Sequence, residues 1–351
     1  MFKKLLLGLF TILLIIGGSN MANAKTWDKT FPKSDKVNIQ KVEFKNRFGI
    51  TLVGDLYIPK GVNAGVNAGV NSNKKLAAIA ISGPFGAVKE QSSGLYAQTL
   101  AERGFITLAF EPSYTGESSG TPRNVASPDI NTEDFSAAVD FLSNNKNVNP
   151  DRIGILGICG FGGFAINAAA IDTRIKATTA VTMYDMTRVS AKGYNDSIDE
   201  NARYEMKQAL NKQRTEDFKR GKYLGADGLP EKLSGNEPQF VKDYWGYYKT
   251  KRGFHTRSIN SNGKWNMTSS LSLINQPILQ YSNEIRTPVL IVHGENAHSR
   301  YFGEDAFKKL KGDNKELFIV KGANHVDLYD GGDKNAIPFD KIESFYKENL
   351  K

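Results

Sequence analysis

The stretch Gly157-Ile158-Cys159-Gly160-Phe161-Gly162-Gly163 directly follows the apolar run Ile153 to Leu156. This order predicts a strand that ends, turns sharply at Cys159 and continues as a helix. The flanking glycines permit the strained backbone and the close main-chain approach that such a turn needs. Because the N-terminus of a helix stabilises a thiolate, we expect a lowered pKa for the Cys159 thiol and a role as nucleophile.

Two other interpretations of this stretch remain open. In the first, Cys159 is a buried structural residue, since a free thiol packs as a small apolar group. In the second, the turn is centred on Phe161, which also has small neighbours, and an inert side chain then occupies the turn. A strand that ends at Leu156 fits a turn at Cys159 better.

The N-terminus has the pattern of an export signal. Lys3 and Lys4 precede the apolar stretch Leu5 to Ile16, and Ala22-Asn23-Ala24 offers a cleavage site before Lys25. The apolar stretch is shorter than the roughly 20 residues that span a membrane. We therefore predict a signal peptide over 1–24, a secreted or periplasmic protein, and no stable membrane anchor after cleavage.

Charge and cysteine content narrow the function classes further. The formal net charge of the 351-residue chain is +9, or +7 (9 − 2) without the two lysines of the signal peptide. The basic residues are spread along the chain and interleaved with acidic ones, and nucleic-acid binding needs a clustered stripe or a known module. The sequence thus predicts no nucleic-acid partner. Its single cysteine cannot form an intramolecular disulfide.

Strand and helix patterns alternate along most of the chain. Residues 37–44 and 50–58 alternate around the turn 46–49 and predict an antiparallel hairpin, and 61–71 reads as a loop expansion. Further strands are predicted at 76–82, 105–110, 153–156, 177–182, 289–293 and 317–320, and helices at 95–103, 132–142, 162–170, 304–310 and 340–350. Short apolar strands alternating with helices indicate an α/β fold with a mostly parallel sheet, covered on both faces.

One long segment interrupts this alternation. Residues 186–281 are rich in charge and aromatic side chains, and they contain helical stretches such as 199–220 but no strong strand. We predict that 25–185 and 282–351 form one catalytic domain, and that 186–281 is an inserted lid over the edge where the strands end. Tyr184, Tyr194 and Trp245 are the candidate pocket residues.

The chain resembles the α/β-hydrolase family, particularly its dienelactone-hydrolase-like members that use cysteine at the turn. The resemblance leaves out the lid. It is carried by the turn at Cys159, by Gly322-Ala323-Asn324-His325, by His293-Gly294 and by the loop Ser82-Gly83-Pro84-Phe85-Gly86.

This resemblance implies a role for each motif. Cys159 would attack an acyl carbon, and His325 would take its proton and return one to the leaving group. The backbone N–H groups of Gly160 and Phe85 would form the oxyanion hole.

The expected triad also needs an acid to orient His325. The resemblance places it at the position of Ala297, which carries no carboxylate. Glu295 is the nearest carboxylate and is our choice, with Glu304 and Asp305 as alternatives.

The sequence implies no metal and no cofactor. Two histidines, His293 and His298, without a consistent set of carboxylates do not make a metal site, and the glycine spacing fits neither a dinucleotide fingerprint nor a phosphate loop. We predict a hydrolase of a small ester, thioester or lactone that works through an acyl-enzyme. The alternatives are a peptidase-like hydrolase and a catalytically inactive relative that binds a ligand under the lid.

Overall fold

A computed structural model describes residues 27–61 and 75–351 of the chain. The predicted signal peptide and nearly all of the loop expansion at 61–71 lie outside these residues. Within the described part, no helix is both long enough and apolar enough to cross a membrane.

Eight strands of the described chain form a single sheet in the order β1-β2-β4-β3-β5-β6-β7-β8. β2 runs antiparallel to β1 and β4, and the other neighbouring pairs are parallel. The strands are β1 (Val37–Lys45), β2 (Thr51–Pro59), β3 (Leu76–Ser82), β4 (Ile106–Phe110), β5 (Val148–Ile158), β6 (Ala177–Val181), β7 (Val289–Gly294) and β8 (Lys315–Val320). The sheet confirms the predicted fold class, and all the predicted strands are present.

Helices connect the strands and cover the sheet. They are α1 (Ser92–Glu102), α2 (Pro128–Ser143), α3 (Gly160–Ile171), α4 (Met186–Lys192), α5 (Glu200–Arg220), α6 (Gln239–Tyr248), α7 (Ile259–Asn262), α8 (Ser270–Asn275), α9 (Arg300–Lys309), α10 (Asp327–Asp330) and α11 (Phe339–Asn349). Short turns of 3₁₀-helix occur between some of them.

The core lies on both faces of the sheet, because successive side chains of a strand point to opposite sides. In β3, Ala78 and Ala80 join an apolar cluster that includes residues of α2 and α3, whereas Ile79 and Ile81 join a second cluster that includes residues of α1 and α11. The alternation explains why the central strands read as continuous apolar runs in the sequence.

Local capping moves some helix boundaries away from their predicted positions. The predicted helix near Thr132 begins at Pro128, because the Ser127 side chain accepts a hydrogen bond from the Ile130 N–H and proline suits the first helical turn. The hairpin forms as predicted, and the Asn46 side chain accepts hydrogen bonds from the N–H groups of Phe48 and Ile50 in its turn.

The segment between β6 and β7 is helical and contains α4 to α8. α5 is its longest helix. Asp199 caps the N-terminus of α5 through the Ala202 N–H, and Gly221 ends it in the left-handed conformation. Residues of this segment reach the carboxyl end of the sheet, where the candidate site lies.

Candidate active site

The turn between β5 and α3 is centred on Cys159. Its φ of 57° and ψ of −126° place a residue other than glycine in a sparsely populated backbone region. The turn is tight: a Cβ added to Gly157 would lie 2.0 Å from the Phe161 carbonyl oxygen, and one added to Gly160 would lie 2.7 Å from Cγ of Met186. Phe161 itself lies buried in α3. The interpretation that centres the turn on Phe161 is therefore wrong.

The Cys159 thiol is buried, with 7% of the residue exposed. Burial raises its pKa, and the Tyr329 hydroxyl and the N–H groups of Gly160 and Phe85 act in the opposite direction. Our expectation of a lowered thiol pKa is wrong for this structure, because desolvation outweighs the donors at the start of the helix. The two N–H groups predicted to form an oxyanion hole do lie beside the sulfur.

His325 follows β8 and is held by hydroxyl groups. Its Nδ1 lies 2.9 Å from Thr182 Oγ1 and 2.5 Å from Ser299 Oγ, and its Nε2 lies 3.0 Å from the Tyr329 hydroxyl. The ring is fully buried. Burial lowers its pKa well below the ordinary value, and the neighbouring His298 and His293 lower it further. The resting imidazole is therefore neutral.

None of the three candidate acids forms a hydrogen bond with His325 within the described residues. Glu295 is exposed and its carboxylate accepts a hydrogen bond from the Gly322 N–H at 2.8 Å. Glu304 and Asp305 are paired with arginines. The choice of Glu295 as the partner of His325 is thus contradicted by the geometry, since the chain after β7 presents Ser299 to the ring instead.

A cavity of about 230 Å³ adjoins Cys159. We call it the active-site cavity. It is lined by Phe85, Cys159, Tyr184, Met186, Val189, Tyr194, Leu229, Tyr244, Tyr248, Asn260 and Tyr329. Seven of these residues, from Met186 to Asn260, belong to the helical segment between β6 and β7.

Two of the three predicted pocket residues line this cavity. Tyr184 and Tyr194 do, but Trp245 does not. Tyr244 and Tyr248 line the cavity in its place. Residues four apart share one face of a helix, so the face of α6 that carries these two tyrosines turns Trp245 away.

The tyrosine hydroxyls of the cavity form a network. The Tyr184 hydroxyl lies 3.1 Å from that of Tyr194 and 3.0 Å from that of Tyr244, and it also contacts His298 Nε2. Burial raises the pKa of Tyr184 and Tyr244 well above the ordinary value and lowers that of His298 to about 4. The groups around the thiol are consequently uncharged near neutral pH.

Sequence reasoning missed Thr182, Ser299, Tyr244 and Tyr329. Thr182 directly follows β6, and Tyr329 lies four residues after His325 in the chain after β8. Their positions after strand ends were therefore a signal that the sequence offered. Hydroxyl residues are common at such ends, however, and periodicity does not tell which of them face a histidine. Among the described residues, no group of three or more histidine, cysteine, aspartate or glutamate side chains could hold a metal ion.

Comparison with known proteins places this geometry in a class. No family model matches the chain. The uncharacterized protein PA2218 of Pseudomonas aeruginosa is 57% identical over 337 residues, which cover 95% of this chain and 87% of that protein. Its crystal structure matches with a TM-score of 0.86 at 56% identity, and the match covers 93% of this chain and 98% of that one.

More distant matches agree with the fold. The uncharacterized protein YcjY of Escherichia coli is 33% identical over 88% of this chain and 99% of its own length. The α/β hydrolase GrgF from a Penicillium species matches in structure with a TM-score of 0.72 at 21% identity, over 89% of this chain and 99% of that one. A shorter match links 42% of this chain to 42% of the thiohydrolase aneE of Aspergillus aculeatus, at 30% identity.

The sheet order, the turn at Cys159 and the structural neighbours show the α/β-hydrolase fold. Within that class, the chain belongs to the family that contains PA2218 and YcjY.

Proposed function

We propose that the protein hydrolyses a small ester, thioester or lactone through an acyl-enzyme on Cys159. The observation that carries the proposal is the position of Cys159: it is the strained residue of the turn, two backbone N–H groups lie beside its sulfur, and it faces a cavity. A nucleophile, preorganised oxyanion donors and space for a substrate are the parts that acyl transfer requires.

In the proposed reaction, the Cys159 sulfur attacks the acyl carbon and the carbonyl oxygen becomes negative. The N–H groups of Gly160 and Phe85 donate hydrogen bonds to that oxygen. His325 accepts the thiol proton and returns a proton to the leaving group, after which water attacks the acyl-enzyme. Thr182 and Ser299 orient the imidazole, in place of the carboxylate of a conventional triad.

The neutral resting state of the thiol and the imidazole bears on how the thiol is activated, and the cavity bears on which acyl group binds. Because burial disfavours both the thiolate and the imidazolium, we propose that the thiol is activated only when an acyl group is bound. The cavity walls are apolar and aromatic, which favours an uncharged acyl group. Its volume of about 230 Å³ favours a short acyl chain over a long one. A match to a thiohydrolase is in keeping with thioesters among the candidates.

The second part of the proposal concerns the location of the enzyme relative to the cell. We propose that residues 1–24 are removed on export and that the enzyme works in the periplasm or outside the cell. Determining the N-terminal residue of the protein isolated from its producing cells tests this. A mature chain beginning near Lys25 is expected, and an intact Met1 would contradict it.

Hydrolysis of p-nitrophenyl esters of increasing acyl length, and of matching thioesters, tests the enzymatic proposal. Cys159→Ala should lower the rate by at least about 10³-fold while the protein stays folded. His325→Gln should lower it by about 10²-fold or more. His255→Gln is the matched control, since His255 is also buried but its Nδ1 accepts from the Arg257 N–H and not from the groups around His325. Retention of more than a few per cent of activity by Cys159→Ala would rule out the proposed nucleophile.

A further inference from the structure

Tyr329 contacts the imidazole and shares the wall of the active-site cavity with Cys159. Its hydroxyl is 3.0 Å from Nε2 of His325, and it lowers the pKa of the Cys159 thiol against the effect of burial. The side chain is fully buried and lines the active-site cavity. Among the described residues, the hydrogen bonds of His325 go to Thr182, Ser299 and Tyr329, and none goes to the sulfur.

We infer that Tyr329 relays the proton between Cys159 and His325. The inference rests on the proposed function, and it adds a catalytic residue to it. A phenol suits this position because its oxygen can accept one proton and give up another in the same step.

The relay balances at each stage. As the sulfur attacks, the thiol proton passes to the phenol oxygen of Tyr329 while the phenol proton passes to Nε2 of His325, and the S–C bond forms as the carbonyl electron pair moves to oxygen. When the carbonyl reforms, the bond to the leaving group breaks. The leaving group takes a proton from the phenol, which is replaced from Nε2 of His325.

Hydrolysis of the acyl-enzyme uses the same route. The attacking water gives a proton to the phenol as the phenol proton passes to His325. The S–C bond then breaks, and the proton returns through Tyr329 to the sulfur. Tyr329 is neutral before and after every step. Burial raises the pKa of its hydroxyl well above the ordinary value, which disfavours a free phenolate and favours coupled transfer of both protons.

A second tyrosine of the cavity also acts on the thiol but is connected to a different histidine. The Tyr244 hydroxyl lowers the pKa of Cys159, and it is linked through Tyr184 to His298. Burial lowers the pKa of His298 to about 4, so this imidazole is a poor base at neutral pH. The route through Tyr329 is the one that ends at His325, which Thr182 and Ser299 hold in place.

The other titratable groups around the relay do not change charge near neutral pH. These groups are Tyr184, Tyr194, Tyr244, Tyr248, His293 and His298. Burial raises the pKa of the four tyrosines and lowers that of the two histidines. A pH profile between about pH 6 and 9 therefore reports mainly on Cys159, His325 and their connection.

The test uses the full-length protein, p-nitrophenyl acetate and the variant Tyr329→Phe. We expect kcat/KM to fall by about 10²-fold, because the base no longer reaches the thiol. The pH profile should also change, since the variant depends on spontaneous ionisation of a thiol whose pKa is raised, and its rate should keep rising at alkaline pH. Tyr57→Phe is the matched control: Tyr57 is equally buried, lies outside the cavity and should leave both quantities unchanged.

A role in packing alone would lower the rate without moving the pH profile, and that result would overturn the relay. The outcome is separable from failure of the proposed function: if Cys159→Ala remained active, the nucleophile and the relay would both be wrong. Should Tyr329→Phe not fold, the wild-type enzyme decides through its rate in mixtures of H₂O and D₂O. The relay predicts a curved dependence from two protons in flight, and a linear dependence from one proton would overturn it.

Discussion

The active-site cavity and the surroundings of Lys89 are both buried and polar, but the cavity contains neutral groups and the surroundings of Lys89 contain charged ones. Lys89 is 1% exposed and lies among three carboxylates, at 2.6 Å from Glu90, 2.5 Å from Glu117 and 3.4 Å from Glu111. We call these four residues the Lys89 cluster. The cavity instead surrounds its thiol and imidazole with hydroxyl groups, and no carboxylate of the described residues forms a hydrogen bond with His325.

The pKa values follow this division. In the Lys89 cluster, burial opposes the charge on Lys89, but Glu111 and Glu90 outweigh it and raise the pKa. Glu117 is held ionised, with a pKa lowered to about 2. Around Cys159, by contrast, burial outweighs the neutral donors and keeps thiol and imidazole neutral. Charge therefore stabilises the Lys89 cluster, whereas the reactive groups of the cavity are uncharged in the resting state.

Removing the cation of the Lys89 cluster should give the largest effect on stability. Lys89→Met leaves Glu111 buried without its cationic partner, while Glu90 keeps Arg257 at 2.7 Å, and breaking a buried ion pair costs about 3–5 kcal/mol. Lys264→Met is the matched control, because Lys264 pairs with Asp227 at the surface, where an ion pair contributes less than about 1 kcal/mol. Urea unfolding measures the free energy of unfolding of each variant.

The same two variants also test the separation of the regions. Alkylation of Cys159 by iodoacetamide should proceed at the wild-type rate in folded Lys89→Met, since the charge of the cluster plays no part in activating the thiol. Equal stability of the two lysine variants, or a change in alkylation rate for Lys89→Met alone, would contradict the separation of the charged cluster from the reactive site.

The next largest effect concerns the free energy of unfolding at acidic pH. Burial lowers the pKa of His293 from 6.5 to about 3, so between these pH values the unfolded chain binds one proton more than the folded protein. Stability from this group is present above about pH 6.5 and is lost as the pH falls. His293→Leu should therefore reduce the slope of unfolding free energy against pH, between pH 4 and 6, by about 1.4 kcal/mol per pH unit.

Urea unfolding at several pH values measures that slope. His255→Leu is the control, because burial lowers the pKa of His255 by a smaller amount and its slope should change less. An unaltered slope in His293→Leu would show that His293 is not held neutral. The region at the strand ends would then accommodate a charged imidazole, contrary to our inference.

The fold was largely predictable from the sequence, because its evidence is local. Apolar runs predict the central strands, and the glycines around Cys159 predict the turn, since a Cβ at Gly157 or Gly160 would collide with neighbouring atoms. The strand-end positions of Cys159 and His325 follow from the same pattern.

The partners of His325 were not predictable, for a physical reason. A carboxylate was expected near position 297, and the sequence offers Glu295 two residues earlier. Whether a side chain after β7 points inward depends on the turn geometry, which directs Glu295 to Gly322 and Ser299 to the imidazole. Tyr329 was missed because a buried tyrosine in a short helix has no pattern that separates packing from proton transfer.

A smaller effect is expected at Ser299. Ser299→Ala removes one of the two hydroxyls at Nδ1 of His325 and leaves Thr182 in place. We expect kcat/KM for p-nitrophenyl acetate to fall by about 10-fold, because the ring orientation is less strictly held while the base remains. Ser282→Ala is the control: Ser282 is equally buried, and its hydroxyl donates to the Leu279 carbonyl, away from the cavity. A full loss of activity in Ser299→Ala would mean that this hydroxyl does more than orient the ring.

The smallest effect should come from the carboxylate that the sequence pointed to. Glu295 is exposed, and the oxygen that accepts from Gly322 is retained in Glu295→Gln. A neutral amide at the surface changes nothing in the environment of His325, so kcat/KM should stay within about twofold of the wild type and its pH profile should not move. Steady-state rates from pH 6 to 9 measure both. A fall of 10-fold or more would show that Glu295 reaches the imidazole during turnover. In that case the reactive site would use charge after all, and its contrast with the Lys89 cluster would hold for the resting state only.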